Sequence, residues 1–395
     1  MRLFNASASA LDDSEPITMS VTAFSFPTNI QFGPGARRLV AAHLRAAGYQ
    51  RPLLVTDKAL AALPVLDEFK THLKGLDVGV FSGVFGNPTT RQVMAGAVTF
   101  ISHRADCIIG FGGGAALDVA KLVGVAATHA GDIIEYVWDH PQSRAIEHPL
   151  PYLVALPTTA GTGSEVGRAS VISESGSHLK RVVFNPKLLA KCVFADPELT
   201  LSLPPHITAA TGIDALTHNI ESYLSPAYHP LCDGVALEGA RIAARALVTA
   251  VIEPDNLQAR SDMMMASMLG AVAFQKDLGA VHACAHALGA VCDLHHGLAN
   301  ALMIDTVLAW NQPVVPAKFD ELAHVCGVAG GGEAFIDWLR QLKIDVGIVG
   351  GLAAHGVKPE QIAQLAAIAS NDICHQTNPR VCTVADFERL FTAAM

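Results

Sequence analysis

In this 395-residue chain, Asp214 and His218 stand four residues apart in a run with helical periodicity, and His282 and His286 repeat that spacing. His295-His296-Gly297 follows shortly after. A separation of four puts both members of a pair on one helix face. A carboxylate gathered with several imidazoles is a natural shell for a divalent first-row metal ion. A lone histidine is more often an ordinary core or surface residue. Here the flanking Ala, Leu and Gly residues supply none of the partners that buried imidazoles need, so metal chemistry is the better reading.

A second segment suits phosphate. Ile108-Ile109-Gly110-Phe111-Gly112-Gly113-Gly114-Ala115-Ala116-Leu117-Asp118-Val119-Ala120-Lys121 reads as strand, glycine turn and helix. Glycines let a ligand approach the backbone, and the following helix start offers unpaired N–H groups and a positive dipole end. The pattern only approximates the GxGxxG fingerprint and lacks its acidic residue about 20 positions downstream. Two further loops, Gly86-Asn87-Pro88-Thr89 and Pro157 to Glu165, follow expected strands and carry hydroxyl and amide groups suited to phosphate and ribose. Three such loops at strand ends describe a ligand crevice.

The elements that must position these residues are legible in outline. Leu53 to Thr56, Val78 to Phe81, Cys107 to Phe111 and Leu153 to Leu156 read as buried strands, with helical spacing between them at Arg37 to Ala47 and Val93 to Ile101. This alternation predicts a mostly parallel, helix-covered, Rossmann-like sheet. After Leu203-Pro204-Pro205 the character changes to long Ala/Leu/Met-rich helical runs at Ile207 to Leu224, Leu231 to Ile252, Asp262 to Val272 and Ala283 to Val291. The division expected is a frayed extension over 1–20, a dinucleotide-binding α/β domain over 21–204 and an all-helical metal-binding, catalytic domain over 205–395. With 27 basic against 36 acidic residues and no Lys/Arg stripe, nucleic acid is not an expected partner. The 8 cysteines form no CxxC pair and fit a reducing cytoplasm. The first residues do not read as a secretory signal, and no stretch of about 18 uncharged apolar residues could span a membrane.

The motifs GGGAALDVAK, PTTAGTGSEV, GIDALTHNIESY, VHACAHALGAV followed by HHG, and Asn378-Pro379-Arg380 resemble the iron-containing (group III) alcohol dehydrogenases, in that family's order and across nearly the whole chain after Met19. The resemblance implies the two-domain architecture shared with dehydroquinate synthase, with the active site in the cleft between the domains. It implies metal ligands at Asp214, His218, His282 and His296, with iron(II) as the ion, although an Asp/His shell also accommodates zinc. It puts a non-ligand catalytic histidine at His286 and an outer neighbour of the ligands at His295. It implies NAD contacts at Asp57, Asn87, Gly113, Gly114, Asp118, Thr158, Thr159 and Lys180, and a homodimer. Ala115 departs from the family's frequent serine, and the 273–279 segment is more charged than in its diol and lactaldehyde reductases.

The activity expected is NAD(H)-linked oxidation of a small primary alcohol or reduction of its aldehyde, with His286 relaying the proton. Lys276 and Arg168 extend the expectation to a hydroxy acid or semialdehyde, because cations near a cleft can hold a carboxylate; both could equally be solvated or paired with Asp277 and Glu165. Asp57, at the end of an expected strand, would favour NAD by repelling the 2′-phosphate of NADP, or would cap the next helix. The alternatives are a metal-free maleylacetate-type reductase and a dehydroquinate synthase-like lyase.

Overall fold

The computed structural model describes residue 26 and residues 28–173 and 180–395. The extension expected over 1–20 and the first domain's start lie outside the described residues. A six-stranded, all-parallel sheet is built from β1 (Asn29–Phe32), β2 (Pro52–Asp57), β3 (Gly79–Val84), β4 (Cys107–Gly112), β5 (Tyr152–Pro157) and a late strand, Cys192–Ala195. Before that last strand, β6 (Ala169–Ser173) and β7 (Lys180–Phe184) form a separate antiparallel ribbon, which makes Cys192–Ala195 β8. The sheet order is β1-β8-β5-β4-β2-β3.

Apolar side chains of the central strands go to both faces, as a helix-covered parallel sheet requires. Leu53 and Ile108 join one buried cluster, while their neighbours Leu54 and Ile109 join the other. Helices α1 (Val40–Ala46), α2 (Pro64–His72), α3 (Thr90–His103) and α4 (Gly114–Thr128) complete the layers. Thr89 starts α3 with a capping box, its hydroxyl accepting from Gln92 N while Gln92 Oε1 accepts from Thr89 N. Phe69 of α2 stacks on Phe111 of β4 at 4.7 Å.

The rest of the described chain is helical. It comprises α5 (Pro205–Leu224), α6 (Pro230–Ile252), α7 (Leu257–Ala273), α8 (Ala280–Cys292), α9 (His296–Asn311), α10 (Pro316–Val325), α11 (Gly331–Asp345), α12 (Ile362–Ala369) and α13 (Val384–Ala393). Pro204 and Pro205 open α5, where a missing N–H costs nothing. Helix α5 packs against α6, α7 and α9. The two parts meet closely at the loop after β5. A Cβ on Gly163 would stand 2.3 Å from Ala271 Cβ on α7, and one on Gly161 would stand 2.9 Å from Thr211 Cβ on α5. Ser267 of α7 donates to Gly161 O at 3.0 Å.

Candidate metal centre and dinucleotide crevice

Helix α5 aligns Asp214, His218 and Glu221 along one buried face, and α8 brings His282 against them. Asp214 Oδ1 is the focus, with Nε2 of His218, His282 and His296 at 4.0, 3.7 and 3.4 Å. Ligand atoms of Asp214, His218 and His282 all lie within 4.8 Å of one another; His296 joins them from the first turn of α9. Glu221 was not singled out from the sequence, yet it fixes His282 by accepting from Nδ1 at 2.5 Å and from Val281 N at 2.7 Å. Its signal was visible: a third polar residue on the face of Asp214 and His218. Asn300, one turn beyond His296, donates to Asp214 Oδ1 at 2.6 Å, and its amide nitrogen lies 3.3 Å from Nε2 of both His282 and His296.

Burial would raise the Asp214 pKa, but the imidazoles of His218, His296 and His282 hold it well below the usual carboxylate range. Burial pushes His218 down to about 4 and His296 well below its ordinary value, leaving both neutral with lone pairs available. Burial also opposes a proton on His282, but Asp214 and Glu221 outweigh it and raise that pKa. Among the described residues Nδ1 of His296 is buried without a hydrogen-bond partner, while the Gly161 backbone lies beside the His218 ring. An ionised carboxylate facing three imidazoles, two of them neutral, is a donor set that fits a divalent cation.

His286 sits one turn beyond His282, its ring stacked on His296 with centroids 5.4 Å apart. Its Nδ1 donates to Asp372 Oδ2 at 2.7 Å. Asp372 caps a short turn, accepting from Cys374 N at 2.9 Å, and its pairing with His286 outweighs burial to keep its pKa low. Asp372 lies 86 residues from His286, so no local pattern could have announced it. His295 stands apart from this group: it is exposed and lines a different cavity with His206 and Leu298.

Of the residues expected to line a dinucleotide crevice, Asp57, Gly113, Gly114, Thr158 and Thr159 gather at the carboxyl ends of β2, β4 and β5. Gly113 caps α4 and Gly114 begins it. A Cβ at Gly113 would stand 3.2 Å from Thr159 Oγ1, and one at Gly114 would stand 2.8 Å from Thr162 Oγ1, so any side chain there would fill the cradle. Thr158 is buried, its N–H donating to Gly112 O at 3.0 Å. Asp57 Oδ1 accepts from Leu60 N at 2.8 Å, a capping bond, while Oδ2 lies beside Gly112. Asn87 is exposed in the loop after β3. Asp118 is buried, its oxygens accepting from Ser164 Oγ at 2.6 Å and Val171 N at 3.0 Å, so any contribution to a dinucleotide runs through the loop it fastens. Lys180 opens β7 and reaches Gly289 of α8 between the crevice and the metal centre; burial lowers its pKa against the pull of Asp214 and Asp372.

A cavity of about 460 Å³ leads to His218, His282, His286 and His296, with walls from Trp138, Val171, Phe184, Val272, Phe274 and Leu278. Arg168 lines it, lying over the Phe184 ring at 5.3 Å and donating to Gln275 Oε1 at 3.3 Å. The expectation for Lys276 is corrected. Its ammonium is buried at 1% exposure, paired with Asp233 rather than Asp277 and bonded to Tyr223 O, because the chain turns it toward α5 and α6.

Residues 27–197 match the family model for iron-containing alcohol dehydrogenase, and residues 208–395 match that for the C-terminal part of the Fe-containing alcohol dehydrogenase family. The chain is 36% identical over 378 residues to the 4-hydroxybutyrate dehydrogenase of Cupriavidus necator, covering 93% of this chain and 98% of that one. It superposes on the crystal structure of a 1,3-propanediol oxidoreductase with a TM-score of 0.90 at 36% identity, covering 95% and 100% of the two chains. It superposes on the sulfoacetaldehyde reductase of Bifidobacterium kashiwanohense in complex with NAD+ with a TM-score of 0.88 at 29% identity, covering 95% and 99%.

Proposed function

This chain belongs to the iron-containing alcohol dehydrogenase family, and on that premise we propose that it is a metal-dependent, NAD(H)-linked dehydrogenase of a small primary alcohol, reducing the aldehyde in reverse. The observation that carries the proposal is the convergence of Asp214, His218, His282 and His296 at the end of a largely apolar cavity, close to a glycine cradle that side chains would fill.

Those four residues would hold the ion, iron(II) by family and zinc by ligand chemistry. A divalent ion in such a shell supplies Lewis acidity that lowers the cost of removing an alcohol's proton. The crevice formed by Asp57, Asn87, Gly113, Gly114, Thr158 and Thr159, with Lys180 at its inner edge, would hold NAD, the hydride acceptor. Glu221 keeps His282 Nε2 turned toward Asp214 by occupying Nδ1. Asp372 occupies Nδ1 of His286, leaving its other nitrogen to pass the alcohol's proton toward solvent. The apolar wall limits water near the reacting carbon.

The test is absorbance of NADH with a panel of alcohols and aldehydes, before and after chelation and on adding Fe(II) or Zn(II). Activity is expected to vanish on chelation and return with metal. Full turnover in the chelated protein would overturn the reading. A second reading, a hydroxy acid or semialdehyde as substrate, is favoured by Arg168 on the cavity wall and opposed by Asp277 on the same wall. Succinic semialdehyde outpacing a neutral aldehyde of equal length in kcat/KM would support it. We propose a homodimer, the commonest closed assembly, tested by light scattering.

A further inference from the structure

Asp277 follows the short turn Phe274–Lys276 with φ 62° and ψ −175°. That combination belongs almost exclusively to glycine, and non-glycine residues forced into it concentrate at functional sites. The other described non-glycine residues with positive φ, Arg104 and Asp293, lie in the ordinary left-handed region at helix ends. Neighbours on both sides hold the turn in place. Ser225 Oγ donates to Lys276 O at 2.7 Å, Asp277 N to Phe274 O at 2.9 Å, and Thr377 Oγ1 to Leu278 O at 2.8 Å. Gly279 beyond is wedged against Glu221 and Asn378.

The strained residue lines the cavity that leads to the metal centre. Its side chain is accessible, and its carboxylate has neither a hydrogen-bond donor nor a cation beside it among the described residues. Burial by the cavity walls raises its pKa, the mark of a carboxylate short of partners. The arginine on the wall, Arg168, is turned to Phe184 and Gln275.

We propose that Asp277 is a specificity-determining residue whose carboxylate takes a hydrogen-bond-donating group, ammonium or hydroxyl, carried by the substrate away from its reacting carbon, and turns carboxylate tails away. A charged acceptor in a partly desolvated wall favours such a donor strongly and leaves an anionic tail unpaired. The proposal rests on the reading of the chain as an alcohol dehydrogenase.

The experiment compares kcat/KM for 3-amino-1-propanol, 1,3-propanediol, 4-hydroxybutyrate and 1-butanol in the metal-loaded wild type, Asp277→Asn and Asp277→Gly. The 3-amino-1-propanol to 1-butanol ratio is expected to fall by about tenfold or more in both variants, and the 4-hydroxybutyrate ratio to rise. A parallel fall for 1,3-propanediol identifies hydroxyl as an accepted donor, and its absence identifies ammonium alone. Asp277→Gly is expected to raise Tm, since glycine adopts this conformation without strain, which also verifies folding. All ratios unchanged within about twofold in the folded variants would overturn the proposal, because a lost charge-assisted bond costs more than that. A wild type that oxidises none of these alcohols overturns the activity reading instead.

Discussion

Glu221 accepts the Nδ1 proton of His282 and two backbone N–H groups, so a single atom change there tests how the shell is oriented. Glu221→Gln is expected to weaken metal binding by about 10- to 100-fold, read by competition with a chromophoric chelator. Unchanged affinity in a folded variant would show that packing alone orients His282. Asp57 poses a sharper choice, because one oxygen caps the following turn while the other lies beside Gly112 in the crevice. Asp57→Gly is expected to raise NADP-linked activity by at least about tenfold while NAD activity remains measurable. A constant NADP/NAD ratio would leave Asp57 with its cap alone.

At the scale of elements, α4 carries the cradle at its start and a buried polar cluster one turn further on. Lys121 donates to Ser164 Oγ and Ala169 O at 2.8 Å and lies 3.8 Å from Asp118, which itself holds Ser164 and β6. Burial pushes both ends of this pair toward neutrality, and their mutual attraction opposes it. Asp118→Ala would strand Lys121 and is expected to cost about 3–5 kcal/mol, seen as a lower denaturant midpoint. Beside them, burial raises the Glu165 carboxyl from the ordinary 4.5 to about 7. The folded state therefore holds this proton more tightly, so the group's contribution to stability falls as pH climbs from 4.5 through 7 and levels off above. Glu165→Gln is expected to gain stability relative to the parent at pH 8 but not at pH 4, in paired urea titrations. A constant difference across that range would refute the shift.

Across the whole molecule, what could be read from the sequence was whatever is strongly periodic or locally clustered. The four strands predicted were short apolar runs alternating with helical spacing, and β2, β3, β4 and β5 match them with boundaries moved by a few residues. Two other sheet strands were not read. β1 is a mostly exposed four-residue edge, and β8, though buried, follows the β6–β7 ribbon rather than a crossover helix, outside the strand–helix alternation. The ribbon of β6 and β7 also escaped, since its strands pair with each other outside the sheet. In the site, Asp214, His218, His282 and His286 announced themselves through helical spacing. Asp372, Asn300 and the strain at Asp277 did not, because each acquires its role through contacts that only folding creates. The glycine contacts between the β5 loop and helices α5 and α7 carry one more consequence. Gly161 is bonded by Ser267 and lies next to His218, so a shift of the loop bearing Thr158 and Thr159 would disturb a proposed metal ligand. Dinucleotide and metal should therefore be thermodynamically linked: calorimetry is expected to find each tightening the other, by one and the same factor in either order of addition.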